Sequence, residues 1–495
     1  MSNFILSIDQ GTTSTRASLM ACEGINAGSL SSLSQKLHEQ FHPRSHWVEH
    51  DANEIWRNTR QLIEEVIQKE PHAKICGMGL ANQGETVVLW DRRNGETLSN
   101  AIVWQDTRTK TEMEVLAQNV DLSQRLNNCT GLRFDAYFSA GKIKWLLDHI
   151  DGARDLAQQG HLCAGTLDSW LIWNLTQGKS FVTDPSTAAR TLLFNIHTLD
   201  YEPWILELFD IPRTILPEVL SKDFGLVQGI TGLSGVPILA NLVDQPAALY
   251  GHQCWNAGDM KATFGTGCFV YLNTEQKIAK STEGLLSTVA WHQSGVTTYA
   301  LDGGIFASGS VITWLRDRLG LISDSSELDS LCLSVSDSGG VVCVPALAGL
   351  AAPYWDRGAR ASWFGMGLET QRAHLVRAAL EGIAFRVEQV IVAMEQDSGM
   401  KPRSLRVDGG LSSSEFLMQT QADLLGIPVE VCEEPEATLL GISLFAANAA
   451  GIKINTTPKV GKIYHTKISA DIRESRLKHF SKAVALTRDW AKNDV

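Results

Sequence analysis

With 495 residues the chain is longer than one ordinary domain, and at roughly 150 residues per domain its length predicts two or three structural units. Its 43 lysines and arginines against 55 aspartates and glutamates give a net charge of -12 without a long basic run, so nucleic acid is not an expected partner. The nine cysteines are odd in number, scattered and never spaced C-x-x-C, a pattern that predicts a reduced, cytoplasmic protein without structural zinc.

Apolar stretches are short throughout the chain. Residues 4–8 form an apolar run that Asp9 interrupts, so no signal peptide is expected. The richest apolar window, residues 341–352, contains Pro345 and Gly349 and falls short of the roughly 18 apolar residues that a membrane-spanning helix needs. The sequence therefore predicts no membrane insertion.

The first elements along the chain alternate between strand and helix patterns. Residues 4–8 and 17–20 are apolar and flank a polar turn, which predicts strand, turn and strand. Residues 51–69 carry apolar side chains at helical spacing, and Asp51 with Glu54 resembles a capping box, so a surface helix is expected. Further strands are predicted at residues 75–80, 87–90 and 102–104, which together indicate an α/β fold.

The strand, turn and strand pattern recurs in the second half of the chain. Residues 261–264 lead into Gly265-Thr266-Gly267 and then into the apolar residues 268–272. Two such hairpins about 255 residues apart predict a duplicated architecture, with a boundary within residues 244–251 and domains at 1–247 and 248–495. No low-complexity linker separates the two halves, so we expect them to share a cleft, which is where ligands commonly bind.

Three polar turns follow apolar strands and carry groups suited to phosphate. Residues 9–16 combine a carboxylate, four hydroxyls, a glycine and a guanidinium, which suits a hydrated magnesium ion and phosphate oxygens. Gly265-Thr266-Gly267 and Asp408-Gly409-Gly410 are weaker signals, because glycine turns mostly serve backbone geometry. Residues 9–16 taken alone are equally compatible with an ordinary polar hairpin. The three turns together favour two phosphate loops and a nucleotide shelf.

The sequence resembles the FGGY carbohydrate kinases, and among them the glycerol kinases, from about residue 4 to about residue 450. The resemblance implies an α/β fold of two RNase H-like (actin-like ATPase) domains with a central cleft, the first binding the polyol or sugar and the second ATP. It rests on residues 8–14 (IDQGTTS), 47–51 (WVEHD), 101–105 (AIVWQ), 137–145 (YFSAGKIKW), 183–184 (TD), 195–200 (NIHTLD), 244–245 (DQ), 264–267 (FGTG), 353–356 (PYWD) and 406–410 (RVDGG).

By this resemblance Asp244 is the general base, and Asp9 and Asp244 are the carboxylates on the Mg²⁺ side. A carboxylate beside the cleft suits the role, since it accepts the hydroxyl proton as the oxygen attacks the γ-phosphate. The alternative for Asp244 is a helix cap before Gln245 and Pro246, and capping does not exclude catalysis.

The resemblance also implies contacts to the nucleotide and its phosphates. Thr313 stands where glutamine is common in glycerol kinases, and Ser414 and Glu415 stand where two asparagines are usual, so this chain departs from the family on the adenine side. The implied contacts are Thr12, Thr13, Ser14, Arg16, Gly265, Thr266, Gly309, Thr313, Gly409, Gly410 and Ser414.

For the polyol, the resemblance implies a pocket with aromatic faces and polar edges. Trp104 and Phe269 would flank the carbon skeleton, which suits the C–H faces of a polyol, although core packing is the alternative for both. The implied pocket residues are Gly84, Glu85, Trp104, Tyr137, Asp244, Gln245 and Phe269.

Gly84 is the main departure from the glycerol kinases, which carry an arginine there to bind a terminal hydroxyl. A charged hydrogen bond is worth roughly 1.5–3 kcal/mol, so its loss without replacement would weaken glycerol binding by about one to two orders of magnitude. Either the gap admits a longer polyol, or water or another side chain fills it and glycerol remains the substrate.

The sequence thus predicts an ATP-dependent kinase for a short polyol, with glycerol favoured and a tetritol, pentitol or ketopentose as the alternative. A nucleotide-binding sensor of the same fold would have no need of Asp244, Glu85 and Tyr137. A weak ATPase with a decayed sugar site is compatible with Gly84. A homo-oligomer, dimer or tetramer, agrees with the resemblance, and the sequence does not choose among these states.

Overall fold

A computed structural model describes residues 3–492, which form two α/β halves, each built on a mixed sheet. The strands are β1 (Asn3–Gln10), β2 (Ser14–Ala21), β3 (Leu30–Leu37), β4 (Glu49–His50), β5 (Lys74–Asn82), β6 (Val87–Asp91), β7 (Ala101–Ile102), β8 (Leu162–Thr166), β9 (Val182–Thr183), β10 (Phe194–Asn195), β11 (Asp200–Tyr201), β12 (Glu218–Val219), β13 (Ile238–Val243), β14 (Met260–Phe264), β15 (Cys268–Glu275), β16 (Leu286–Gln293), β17 (Val296–Ile305), β18 (Val342–Val344), β19 (Ser362–Phe364), β20 (Leu405–Asp408), β21 (Val429–Cys432) and β22 (Val460–Tyr464).

Helices cover both sheets, and three short 3₁₀ turns lie at Arg213–Ile215, Ser325–Glu327 and Gly410–Ser413. The α-helices are α1 (Ala52–Lys69), α2 (Lys110–Ala117), α3 (Val120–Thr130), α4 (Ser139–His149), α5 (Ala153–Gln158), α6 (Leu167–Leu175), α7 (Pro185–Ala188), α8 (Pro203–Leu208), α9 (Asp244–Gly251), α10 (Gly309–Asp317), α11 (Leu328–Leu333), α12 (Arg372–Ser398), α13 (Glu415–Leu425), α14 (Ala437–Ala449) and α15 (Ala470–Lys492).

The N-terminal sheet has the order β13-β5-β1-β2-β3 and confirms the first predicted hairpin. β1 pairs antiparallel with β2, which sets Asp9 opposite Arg16, and parallel with β5 on its other side. The predicted helix is α1: the Asp51 side chain accepts the backbone N–H of Asn53 at 2.8 Å, and the helix buries its apolar face against the sheet. Strand β1 is buried over most of its length because it pairs with a strand on each side and α1 packs on the sheet.

The C-terminal sheet repeats the same hairpin and confirms the predicted duplication. Its order is β16-β17-β15-β14-β20-β21-β22, with β14 antiparallel to β15 and parallel to β20. The glycine turns at residues 265–267 and 409–410 therefore follow neighbouring parallel strands and lie at the same sheet edge, as a nucleotide shelf requires.

Helices α9 and α14 join the two halves. Each helix carries a glycine where the two helices touch. A Cβ on Gly251 of α9 would collide with the carbonyl of Ala437, and a Cβ on Gly441 of α14 would collide with the carbonyl of Ala247. The Ser7 hydroxyl of β1 hydrogen-bonds that of Ser443 in α14 at 2.6 Å, so this helix of the C-terminal half packs on the N-terminal sheet. The boundary predicted between residues 247 and 248 falls inside α9.

No helix within residues 3–492 is long and apolar enough to cross a membrane. All nine cysteines carry free thiols.

Candidate active site

The first predicted phosphate turn closes tightly between β1 and β2. The Gly11 N–H donates to the Ser14 carbonyl at 2.9 Å. The Trp104 indole N–H donates to the Thr12 hydroxyl at 2.9 Å, and the Gln35 amide donates to the Ser14 hydroxyl at 2.9 Å. Thr13 is exposed at the tip. The turn is thus held by side chains from two directions.

Two carboxylates, the buried Asp9 and the partly exposed Asp244, are close enough for the charge of one to act on the other. Burial, reinforced by the negative charge of Asp244, raises the pKa of Asp9 to about 7, and its carboxylate accepts no hydrogen bond from residues 3–492. Asp244 opens α9 and accepts the backbone N–H of Gln245 at 2.7 Å, so it does lie at a helix start. Burial raises the pKa of Asp244, against the opposing charge of Lys261. Two like charges in this setting are suited to hold a cation or accept a proton.

Three aromatic rings meet beside these carboxylates. The Trp104 ring centroid lies 5.5 Å from that of Tyr137 and 6.4 Å from that of Phe269, with interplanar angles of 84° and 79°. Phe269 belongs to β15 of the C-terminal half, whereas the other two rings belong to the N-terminal half. The structure therefore brings the predicted polyol-flanking residues together across the cleft, and all three remain partly accessible.

Glu85, predicted to bind the polyol hydroxyls, adopts an unusual backbone conformation. Its φ of 50° lies in the left-handed region, where a residue that is not glycine is strained, and such strain persists where the surroundings fix it. Burial raises the pKa of Glu85 to about 6, opposed by the Arg190 guanidinium. Burial, with the charge of Glu85, raises the pKa of Tyr137 well above its usual value, which keeps the phenol protonated as a hydrogen-bond donor.

The space beside Gly84 is filled rather than open. A Cβ built on Gly84 would lie 3.0 Å from Cγ2 of Val243 and 3.5 Å from Cγ of Arg190. Arg190 follows α7, and its Nε donates to the Glu85 carboxylate at 2.6 Å while its Nη1 donates to Asp302 of β17 at 2.9 Å. A side chain at residue 84 would thus meet Val243 and the stem of Arg190 at its first atom, which favours the alternative in which a neighbour fills the gap at Gly84.

Lys261 is a second buried cation at the site. It lies on β14, and its ammonium group donates to the Gln245 side-chain oxygen and to the Thr263 hydroxyl, the latter at 2.9 Å. Burial lowers the pKa of Lys261, and the carboxylates of Asp408 and Asp244 oppose that change. Lys261 therefore orients Gln245 and places a positive charge near the proposed base.

The nucleotide residues line a cavity of about 1100 Å³ in the C-terminal half. Gly409, next to this wall, has a φ of 88°, and a Cβ there would lie 2.5 Å from the Phe264 carbonyl oxygen, so only glycine fits. Ser414 caps α13 through the N–H of Leu417 at 3.2 Å and donates to Asp329 at 2.5 Å. The predicted residues that line the cavity are Gly265, Thr266, Gly309, Thr313, Gly410 and Ser414.

Arg16, a predicted phosphate contact, pairs with a carboxylate of the C-terminal half. Its Nη1 lies 3.0 Å from the Glu436 carboxylate, just before α14, and so forms an ion pair with the C-terminal half. Sequence reasoning missed Arg190, Asp302 and Lys261. The first two lie outside the quoted motifs, and Lys261 precedes the motif at residues 264–267, so no motif marked any of them.

Both halves of the chain match models of one protein family. Residues 4–251 match the N-terminal domain model of the FGGY family of carbohydrate kinases, and residues 260–450 match its C-terminal domain model. Glycerol kinases of Alkalilimnicola ehrlichii and Parabacteroides distasonis are 45% and 43% identical to this chain, with 99% of each chain covered.

A solved structure, Plasmodium falciparum glycerol kinase with ADP, superposes with a TM-score of 0.92 at 34% identity and covers 98% of both chains. Both family models and the two mixed sheets agree with the predicted pair of RNase H-like domains around a cleft. The chain belongs to the FGGY family of carbohydrate kinases.

Proposed function

We propose that this kinase transfers the γ-phosphoryl group of ATP to a terminal hydroxyl of glycerol, forming glycerol 3-phosphate. The observation that carries the proposal is the meeting of Trp104, Tyr137 and Phe269 beside Glu85, with the filled space at Gly84. Aromatic rings cover the C–H faces of a small polyol, and the carboxylate accepts its hydroxyls. The high identity to glycerol kinases over the whole chain supports the same substrate.

In this proposal Asp244 is the general base. One carboxylate oxygen accepts the Gln245 N–H, which fixes its orientation, and the other is left to accept the proton of the attacking hydroxyl. Burial raises the pKa of Asp244, which strengthens it as a base relative to an exposed carboxylate. The hydroxyl oxygen then attacks the γ-phosphorus while ADP leaves, and positioning supplies much of the rate.

The ATP phosphates would lie between the turn at residues 11–14 and the turn at residues 265–267, with the adenosine in the 1100 Å³ cavity. Within residues 3–492 no cluster of three or more His, Cys, Asp or Glu side chains forms a metal cage. Asp9 and Asp244 nevertheless fit Mg²⁺, which takes one or two carboxylates and completes its shell with water and phosphate oxygens. When bound, Mg²⁺ neutralises charge on the β- and γ-phosphates.

Two other functions remain as alternatives. A longer polyol or ketopentose is disfavoured on the Gly84 side by the contacts of Val243 and Arg190. A nucleotide-dependent sensor, or an ATPase with a decayed sugar site, would have no use for the strained Glu85 or for the aromatic set. We also propose a cytoplasmic location, since nine free thiols suit a reducing compartment.

One experiment separates these functions. ADP release is followed in a coupled assay with glycerol, erythritol, threitol, the pentitols and the ketopentoses, each at several concentrations. We expect glycerol to give the highest kcat/KM. A preference for any longer substrate would replace glycerol with that substrate, and ATP turnover that no polyol changes would favour the decayed ATPase.

A further inference from the structure

Gly84 leaves the polyol pocket without a cation at that position, and the structure provides one from elsewhere. The side chain of Arg190 leaves the chain after α7 and runs past Gly84, with its Cβ and Cγ 3.6 Å and 3.5 Å from the position of a Cβ at residue 84. We infer that Arg190 binds a terminal hydroxyl of the substrate and so replaces the missing arginine. The inference rests on the proposed function and names a further specificity-determining residue of that pocket.

The hydrogen-bond inventory of Arg190 supports this role. A guanidinium has five N–H donors, and Arg190 uses one on Nε for Glu85 and one on Nη1 for Asp302. Nη2 has no hydrogen-bond partner within residues 3–492 and keeps some contact with solvent, so it borders open space. The side chain is only 3% exposed. Because spare donors on a buried cation are unfavourable, an acceptor is expected to enter this space.

The surroundings of the guanidinium identify the acceptor as a hydroxyl. Its central carbon lies 5.5 Å from the Tyr137 ring centroid, so it sits among the residues proposed to hold the polyol. Glu85 and Asp302 already balance the positive charge of Arg190, which disfavours a further anion. A hydroxyl suits both sides, since it donates its proton to Glu85 and accepts an N–H from Arg190.

The link to Asp302 also explains why the donors are fixed in place. Glu85 and Arg190 belong to the N-terminal half, whereas Asp302 lies on β17 of the C-terminal half. All three side chains are at most 5% exposed. The guanidinium is therefore held at both ends across the cleft and is preorganised for a ligand that the two halves enclose.

The test compares polyol binding between wild type and Arg190→Lys. Dissociation constants are measured calorimetrically, without ATP, for glycerol, 1,2-propanediol, which lacks one terminal hydroxyl, and 1,3-propanediol, which lacks the central one. In wild type we expect glycerol to bind about 10- to 100-fold more tightly than 1,2-propanediol, as a charged hydrogen bond implies. In Arg190→Lys that preference should shrink to within about threefold, because lysine lacks the planar fork.

A matched control separates a contact from a structural role. Arg108 is also buried, 2% exposed, and its Nη2 lies 2.7 Å from both Glu49 and Asp106. Arg108→Lys should lower thermal stability to a similar extent and leave the preference for glycerol over 1,2-propanediol intact. If Arg190→Lys does not fold, Asp302→Asn serves instead, and it should reduce the same preference by about three- to tenfold.

The outcomes are distinguishable. An Arg190→Lys protein, or Asp302→Asn in its place, that keeps the wild-type preference would overturn the inference and leave the proposed function standing. Equal losses for glycerol and 1,2-propanediol would also overturn it, since they would mean general damage to the pocket. A wild-type protein that binds none of the three polyols would overturn the proposed function and the inference together.

Discussion

Asp244→Asn tests the centre of the proposed mechanism. The amide cannot accept the hydroxyl proton, so we expect kcat to fall by about 100- to 10,000-fold, which corresponds to about 2.7–5.5 kcal/mol of transition-state stabilisation. The fold should survive, because the amide oxygen can still accept the Gln245 N–H that Asp244 accepts at 2.7 Å. Removing one of two like charges also relieves the repulsion that helps to raise the pKa of Asp9, so thermal stability should hold or rise.

The assay is ADP release with saturating glycerol and ATP, together with the ADP dissociation constant of each protein. We expect ADP affinity to change less than about threefold, since the nucleotide cavity does not include residue 244. Asp184→Asn is the matched control: like Asp244, Asp184 accepts backbone N–H groups at the start of a helix, those of Ser186 and Thr187 at 2.7 Å and 3.1 Å. Its asparagine variant should lose less than about tenfold. An Asp244→Asn enzyme with more than about a tenth of wild-type turnover would refute the base assignment.

Three further predictions concern the pocket wall, the phosphate turn and the core. Gly84→Ala should lower the free energy of unfolding by about 1 kcal/mol, because the new Cβ would lie 3.0 Å from Val243. In a Val243→Ala background this loss should disappear, and additive losses of stability from the two substitutions would contradict the contact. Thr266→Val should raise the KM for ATP by about tenfold with the KM for glycerol unchanged, and equal changes in both would argue against a phosphate contact. Burial holds the pKa of His50 at about 3, so below pH 6.5 the unfolded chain binds one proton more than the folded protein, and the free energy of unfolding decreases as the pH is lowered. In urea titrations between pH 6 and 4.5, His50→Leu should reduce the dependence of the free energy of unfolding on pH by about 1.4 kcal/mol per pH unit. An unchanged dependence would exclude His50 as its source.

The sequence predicted the features that depend on local pattern. The two strand, turn and strand hairpins, the helix over residues 51–69 and the glycine turns follow from alternation of apolar residues and from turn chemistry, and the structure confirms them. The family resemblance implied that Trp104 and Phe269 flank one substrate, and their ring centroids lie 6.4 Å apart although 165 positions separate the two residues in the chain.

Other parts of the site depended on packing between elements distant in sequence. The sequence left open whether Gly84 creates room, and the answer lies in the Val243 side chain and the stem of Arg190. Arg16, predicted as a phosphate contact, lies opposite Asp9 in the hairpin and pairs with Glu436 beside α14. Neither contact has a local signature, because each partner comes from a separate element.

The sequence by itself therefore determined the fold class and the chemical groups of the cleft, since strand alternation and glycine turns act over a few residues and recur in recognisable order. Only the tertiary structure shows that a buried cation, Arg190, contacts Glu85 beside the predicted polyol pocket. Arg190, Glu85 and Asp302 are brought together only when the two sheets pack around α9 and α14, and their burial turns three ordinary charged residues into a fixed set of hydrogen-bond donors and acceptors.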